Sequence, residues 1–132
     1  FVDADEELVK NAQRIIPEIF ASEGEASFRG LETEQLSQLG KLSGAVIATG
    51  GGCVTCARNY QLLHQNGTIF CLNRDLSKLP LEGRPLSQAN QLEELYRIRK
   101  PLYEAFADFM VDNNGDIHAA ADQILRIWEE ET

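Results

Sequence analysis

Three consecutive glycines separate an apolar stretch from a pair of cysteines in the segment AVIATGGGCVTC, residues 45–56. An apolar strand that runs into glycines would bring bare backbone amides to the carboxyl edge of a parallel sheet, where such sheets bind ligands. Because Gly50, Gly51 and Gly52 have no Cβ, a ring or a carboxylate could lie directly on their backbone. A tight turn after a buried strand explains the same glycines, so the spacing alone leaves both interpretations open.

Cys53 and Cys56 have the CxxC spacing of a redox pair or of half a zinc site. A structural zinc site needs four ligands, and the sequence has no second CxxC and no paired histidines. We therefore predict that both cysteines fill the core or the start of a helix, and that the chain binds no zinc. Cys71 is predicted to lie in a buried strand.

Asp3 and Asp5 are two residues apart in the apolar-acidic stretch FVDAD. On a strand, this spacing would point both carboxylates to one side, roughly 6–7 Å apart. Such a pair could hold Mg²⁺ or its waters, or accept a proton from a hydroxyl group. Acidic residues at the start of a helix are an equally good interpretation, which the neighbouring Glu6 and Glu7 favour.

Three arginines could bind or neutralise an anion. Arg29 is expected on a helix with Glu32 one turn later, which could equally be an ordinary surface ion pair. Arg84 lies in the polar stretch EGRPLSQ, where a loop arginine could close over a phosphoryl group. Arg99 precedes a proline at which a helix is expected to end, so it would point at a site or complement the helix dipole.

Apolar periodicity predicts an alternation of strands and helices that would position these residues. A strand buried on both faces is expected in GAVIATG and a second buried strand in TIFCLN. FVDAD is expected to be the end of a buried strand, and FADFMVD a short strand. Helices are expected in EELVKNAQRIIPEIFAS, as two helices interrupted at Pro17, and in EASFRGLETEQLSQLGKL, ARNYQLLHQNG, QLEELYRIR and the last segment through Trp128. The alternation predicts an α/β fold with a parallel sheet covered on both faces.

Single residues predict where these helices begin and end. Gly40 should end the third helix, and Asp116 should cap the last one. Asn90 and Glu93 form an N-x-x-E cap for QLEELYRIR, and Pro101 should break or kink that helix.

The composition restricts the class of protein. The chain has 132 residues, of which 43% are hydrophobic and 25% charged, as expected of a single globular domain. Its net charge of −9 disfavours binding to nucleic acid or to an anionic membrane. Three cysteines and the lack of a signal-like or membrane-spanning run favour the cytoplasm. Nothing in the sequence predicts an oligomeric state.

The order of several stretches resembles the shikimate kinase family over essentially the whole chain. These stretches are FVDAD followed by EELV, then IPEIFASEGEASFRGLE, VIATGGGCV, GRPLS and RKPLYEAFAD. The resemblance implies a three-layer P-loop fold like that of nucleoside kinases. It also implies transfer of the γ-phosphoryl group of ATP to the 3-hydroxyl of shikimate, with Mg²⁺ as cofactor.

The resemblance also implies roles for the residues described above. Asp3 matches the acid near Mg²⁺, which it would contact through water. Asp5 matches the acid that hydrogen-bonds the substrate hydroxyl and acts as base, and Arg84 matches the arginine of the lid that reaches the transferred phosphate.

The acceptor side is implied in the same way. Arg29 and Arg99 match the pair that binds the substrate carboxylate, and Glu32 matches the residue that braces Arg29. Gly50, Gly51 and Gly52 match a backbone platform under the ring. The cysteines after the glycines are then incidental.

Two departures from the family pattern lead to further expectations. No G-x-x-x-x-G-K-[ST] loop occurs in the 132 residues, so the first strand and the P-loop are expected to be missing and the chain to be truncated. Residues 74–90 are shorter than the charged lid of many family members, and only Arg74 and Lys78 are candidates to stack on adenine.

Two functions therefore remain in view. The first is a shikimate kinase chain that is inactive alone and needs a P-loop in order to bind ATP. The second is a non-catalytic shikimate-binding or regulatory module with a kinase-derived fold. Another small-molecule kinase fits less well, because paired arginines favour a carboxylated ring.

Overall fold

The computed structural model describes residues 1–73 and 86–131, with side chains from residue 91 onward in the second range. Short strands alternate with helices along both ranges, and both strand pairs are parallel. The predicted α/β class with parallel strands is thus confirmed. The residues form two compact units, Phe1–Thr68 and Ile69–Thr132, each of which has its own two-stranded sheet.

The first unit pairs β1 (Val2–Asp3) with β2 (Ile47–Ala48), and Val2 lies opposite Ile47. Its helices are α1 (Ala4–Ala12), α2 (Ile16–Glu23), α3 (Glu25–Leu39) and α4 (Ala57–His64). A 3₁₀ turn, Gly51–Thr55, lies between β2 and α4. We call this segment the glycine turn.

The core of the first unit lies between its first three helices. Leu8 of α1, Ile19 of α2 and Phe28 of α3 are buried against one another. The predicted interruption at Pro17 is confirmed, because Pro17 lies in the first turn of α2, where its missing N–H costs no helical hydrogen bond. Gly24, with a φ of 84°, then separates α2 from α3.

Gly40 ends α3 as predicted, and the structure supplies a reason that the sequence does not show. Its φ of −64° is open to any residue. A Cβ at this position, however, would lie only 2.1 Å from the backbone carbonyl oxygen of Leu62 in α4. A glycine is therefore required by the close approach of α4 and not by backbone conformation.

The second unit pairs β3 (Phe70–Asn73) with β4 (Phe109–Asp112) over four residues, from Phe70 opposite Phe109 to Asn73 opposite Asp112. Its helices are α5 (Leu86–Phe106) and α6 (Ile117–Glu131). Asp116 caps α6 as predicted, because its Oδ1 accepts the backbone N–H of His118 at 3.1 Å. The helix continues past Trp128 to Glu131.

Two predicted boundaries of α5 are wrong. The helix begins at Leu86, so Asn90 lies inside it and does not cap it. It also runs through Pro101 without a break, because the φ of proline is helical and only one helical hydrogen bond is lost.

The predictions that GAVIATG is buried on both faces and that TIFCLN is a buried strand are also wrong. Val46 is 68% exposed and Leu72 is 54% exposed. In the part of the chain that the structure describes, β2 and β3 each pair with one strand only, and so each leaves one edge without a strand. None of the described helices is apolar over the length needed to cross a bilayer.

Candidate active site

Asp3 and Asp5 lie on either side of the point where β1 ends and α1 begins. The prediction that both lie on a strand is wrong, because Asp5 is already in α1. Asp3 caps this helix through Oδ1, which accepts the N–H of Asp5 at 3.0 Å and the N–H of Glu6 at 3.2 Å. The alternative interpretation, acids at a helix start, is therefore the correct geometry.

Asp5 lies against the glycine segment, residues 50–52. A Cβ on Gly50 would lie 3.1 Å from Oδ2 and 3.2 Å from Oδ1 of Asp5, so the carboxylate rests close to the Gly50 backbone. Burial raises the pKa of the Asp5 carboxyl above its usual value of 3.8, and the neighbouring Asp3 carboxylate raises it further. The Arg29 guanidinium acts in the opposite direction and lowers the pKa. The charged form of Asp5 is thus disfavoured, which makes it a better proton acceptor.

Gly52 lies against Arg29. A Cβ on Gly52 would lie 2.3 Å from Nη2 and 2.5 Å from Nη1 of Arg29, so only a glycine leaves room for the guanidinium in its present position. Gly52 is buried, whereas Gly51 is exposed at the start of the turn. The first amides of such a turn have no acceptor within it and can donate to other groups.

Carboxylates on the preceding and following turns of α3 hold Arg29. Its Nη1 donates to Oε1 of Glu32 at 3.0 Å, and Glu32 is buried. Its Nε and Nη2 both lie 3.4 Å from Oε1 of the exposed Glu25. The predicted contact between Arg29 and Glu32 is present, and burial of the glutamate makes it more than a solvated surface pair.

The glycine segment thus has a carboxylate at one end and a guanidinium at the other. Asp5 lies against Gly50, and Arg29 lies against Gly52. A guanidinium binds a carboxylate through two parallel hydrogen bonds, and a partly desolvated aspartate can accept a proton from a hydroxyl group. This arrangement suits a small molecule that carries both a carboxylate and a hydroxyl.

The cysteines lie where the sequence predicted, in the core or at a helix start. Cys53 is buried, and Cys56 immediately precedes α4. Burial is the main cause that raises the pKa of the Cys53 thiol, so it stays protonated at neutral pH and is a poor metal ligand or nucleophile. Cys71, in β3, is half-buried.

Within residues 1–73 and 86–131, no three side chains of His, Cys, Asp or Glu are grouped to hold a metal ion. A Mg²⁺ ion in a kinase is usually bound by one or two carboxylates together with phosphates and waters, so it needs no such cage. Asp3 fits this limited role. Its Oδ1 accepts both helix amides, and its second oxygen, Oδ2, accepts neither of them.

The remaining predicted site residues lie elsewhere. Arg99 is in the middle of α5, so the prediction that it lies at a helix end is wrong. Its Nε is buried and makes no hydrogen bond with the described residues. Arg84, together with the predicted lid up to residue 85, lies outside the described residues.

Two residues of this region were not predicted. Glu25 could have been found, because it precedes Arg29 by four residues in a helical stretch, and such pairs meet on a helix surface. Asn59 could not, since an asparagine in the first turn of a helix gives no signal in the sequence. It is fully buried, and its Nδ2 donates to the carbonyl oxygen of Cys53 at 2.9 Å.

Comparison with known proteins identifies the family. A family model described as shikimate kinase matches residues 1–129. The shikimate kinase of Methylococcus capsulatus is 36% identical over 137 residues, which cover 96% of this chain and 75% of that protein. The shikimate kinase of Burkholderia lata is 38% identical over 121 residues, covering 85% of this chain and 66% of that protein.

Solved structures agree with this assignment. A shikimate kinase from Acinetobacter baumannii in complex with shikimate superposes with a TM-score of 0.88 at 32% identity, covering 100% of this chain and 79% of the other. A shikimate kinase from Aquifex aeolicus gives a TM-score of 0.83 at 30% identity, covering 98% and 79%. The chain spans 66–79% of the length of these four proteins, and it belongs to the shikimate kinase family.

Proposed function

We propose that this chain carries the shikimate-binding part of a shikimate kinase, which phosphorylates the 3-hydroxyl of shikimate with ATP. One observation carries the proposal: Asp5, the glycine segment and Arg29 lie together within the first unit. These are the residue types needed for a molecule with one carboxylate and several hydroxyls. Membership of the family and a solved relative that holds shikimate support the same substrate.

Arg29 binds the shikimate carboxylate in this proposal. Its guanidinium is held by Glu32 and lies against Gly52, so little side-chain entropy remains to be lost on binding. Arg99 is proposed as the second arginine on this carboxylate. Membership of the family, whose model covers residues 1–129, supports that assignment.

Asp5 accepts the proton of the 3-hydroxyl. The hydroxyl oxygen forms a bond to the γ-phosphorus of ATP, the bond from that phosphorus to the bridging oxygen breaks, and ADP leaves. Arg84 neutralises the charge on the transferred phosphoryl group, and this role stays a prediction. Asp3 would be the residue that holds Mg²⁺, and the metal would supply charge neutralisation when it is bound with the nucleotide.

The nucleotide side of the reaction is a separate expectation. The 132 residues contain no G-x-x-x-x-G-K-[ST] loop. The backbone amides and the lysine of that loop cradle the phosphates of ATP. We therefore expect these residues to bind shikimate but to bind Mg-ATP weakly or not at all, and to be inactive alone.

Calorimetry and a turnover assay test the proposal. Shikimate and Mg-ATP are titrated separately into the 132-residue chain, and saturable binding of shikimate alone is expected. The chain is then fused behind the first strand and P-loop of the Methylococcus capsulatus relative, and ADP release is measured with and without shikimate. Release that depends on shikimate supports a kinase, whereas binding without turnover in the fusion supports the non-catalytic module. Absence of shikimate binding by both proteins contradicts the proposal.

A further inference from the structure

Asn59 is the one fully buried polar side chain among those described in the first unit, and it contacts the glycine turn. It lies in the first helical turn of α4, and its backbone N–H donates to the carbonyl of Cys56. Its side chain reaches back to Cys53, in the middle of the glycine turn. One residue therefore joins α4 to the turn that follows β2.

We propose that Asn59 is a positioning residue for the shikimate site: its side-chain amide fixes the glycine turn and, through Gly52, the place of Arg29. The inference rests on the proposed function above, because it concerns the substrate that Arg29 binds. Asn59 itself is not proposed to touch the substrate.

The orientation of the amide is settled by its partner. The carbonyl oxygen of Cys53 can only accept a hydrogen bond, and Nδ2 is the only donor on the asparagine side chain. Oδ1 must then point the other way, where it is buried and accepts no hydrogen bond from the described residues.

This unpaired oxygen argues against a role in stability alone. A buried acceptor without a donor is costly, and an apolar side chain of similar size would avoid that cost. We therefore attribute the presence of an asparagine here to the backbone carbonyl that its Nδ2 holds. The carbonyl that it holds belongs to Cys53, which directly follows Gly52, and Gly52 is in contact with the Arg29 guanidinium.

The glycine turn has few other constraints of this kind. The hydroxyl of Thr55 donates to the carbonyl of Gly52 at 2.7 Å, and the N–H of Cys53 donates to Gly50 at 3.3 Å. Cys53 makes two more contacts: its Sγ–H donates to Oγ1 of Thr49 at 3.5 Å, and its carbonyl oxygen also accepts the N–H of Cys56 at 3.4 Å. All of these contacts join near neighbours in the chain, between residues 49 and 56. The Asn59 amide is the side-chain hydrogen bond that joins the turn to a residue within α4.

Asn66 offers a matched control. Its Nδ2 also donates to a backbone carbonyl, that of Leu42 at 2.9 Å, in the same unit. The loop that it holds, around Lys41 and Leu42, is not part of the glycine turn. The Asn66 amide also donates to Oγ of Ser43 at 3.4 Å. N59A and N66A therefore each remove a hydrogen bond from an asparagine amide to a backbone carbonyl, the first at a buried position and the second at an exposed one.

The first measurement needs no ligand. Labelling of each cysteine by iodoacetamide is followed by peptide mass spectrometry, with Cys71 in the second unit as internal reference. Loss of one hydrogen bond should raise the rate for the buried Cys53 about fivefold relative to Cys71 in N59A, through local opening of the turn. N66A should leave the ratio unchanged. An unchanged ratio in N59A, or an equal rise in N66A, overturns the proposal, whether or not the wild-type chain binds shikimate.

The second measurement concerns the substrate. The Kd for shikimate should rise about three- to tenfold in N59A and should stay within twofold of wild type in N66A. In the P-loop fusion, N59A should raise the KM for shikimate and leave the KM for ATP unchanged, a split that general destabilisation would not produce. Equal changes in both KM values contradict the proposal.

A measurement on the wild-type chain decides the case in which N59A fails to fold. The side-chain amide signals of Asn59 and Asn66 are followed by NMR as shikimate is added. The Asn59 signals should shift with the same Kd as binding, and the Asn66 signals should not. A titration in which shikimate binds and the Asn59 signals stay in place overturns the proposal.

Discussion

The α-carbon of Gly52 lies against the guanidinium of Arg29, so closely that a Cβ would come within 2.3 Å of Nη2. The guanidinium is the far end of a flexible side chain and can move aside, whereas the buried turn that carries Gly52 cannot do so easily. An added methyl group should therefore displace the charge without unfolding the unit. A substitution at Gly52 therefore tests the effect on binding separately from the effect on stability.

We predict that Gly52→Ala weakens shikimate binding while the chain stays folded, with a melting temperature lowered only as far as the buried Glu32 loses its contact with Arg29. Misplacing a charge-assisted contact of this kind costs about 1.5–3 kcal/mol, or roughly ten- to a hundredfold in Kd. Calorimetry measures the Kd, and thermal unfolding measures the melting temperature.

Gly30→Ala is the control, because Gly30 follows Arg29 in α3 and a Cβ there would meet nothing within 4 Å. It should stabilise the helix by about 0.5–1 kcal/mol and leave the Kd unchanged. A stronger effect of Gly30→Ala than of Gly52→Ala on binding would refute this account.

Arg29→Lys should raise the KM for shikimate in the P-loop fusion far more than the KM for ATP. A lysine keeps the charge but loses the planar fork that holds Glu32 and a carboxylate at once. Glu32→Gln should act in the same direction, because the buried Glu32 holds Nη1 at 3.0 Å. Glu25→Gln is the milder comparison, since Glu25 is exposed and lies 3.4 Å away. Steady-state kinetics with each substrate varied in turn provide the test, and an unchanged shikimate KM in Arg29→Lys would show that the assignment is wrong.

Local rules predicted much of the chain, and they succeeded where local chemistry decides the structure. The cap at Asp116, the interruption at Pro17 and the end of α3 at Gly40 follow from residue types alone. The reason for Gly40 was not predictable, since it depends on a carbonyl of α4 that lies more than twenty residues away. Sequence spacing carries no information on such an approach.

The sequence predicted which types of residue lie at the candidate site, and the structure corrected their geometry. Alternation along a strand placed Asp3 and Asp5 side by side, but the strand ends at Asp3, and helix geometry takes over at the next residue. The contacts of Gly50 with Asp5 and of Gly52 with Arg29 depend on how α1, α3 and the glycine turn pack. No periodicity argument yields them.

The chain should bind no stoichiometric zinc. Cys53 is buried with a raised thiol pKa, and a thiol must lose its proton to bind zinc. Metal analysis of protein purified without chelator measures this directly, and a Cys53→Ser, Cys56→Ser double variant controls for zinc bound elsewhere. One zinc ion per chain that is lost in the double variant would contradict the prediction.

Asp3 and Asp5 should have opposite effects on stability although they are two residues apart. Asp3→Ala removes the cap of α1 and should cost about 1 kcal/mol. Asp5→Asn should instead raise the melting temperature at pH 7, because the raised pKa of Asp5 means that its charged form destabilises the fold. The sign follows from linkage. The contribution of Asp5 to the free energy of unfolding is fully present below the pKa that Asp5 has in the unfolded chain, and it is lost as the pH rises through the higher pKa in the folded chain. The rise in melting temperature from Asp5→Asn should therefore shrink as the pH falls from 7 towards 4, where the wild-type carboxyl takes up its proton.

Melting temperatures recorded across this pH range in chelator-containing buffer test this prediction, and Glu6→Gln, at an exposed position of the same helix turn, is the control. In the P-loop fusion the same Asp5→Asn variant should lower kcat, because it lacks the proton acceptor. A variant that loses both stability and activity at pH 7 would show that the carboxylate holds the fold together and is not kept for catalysis.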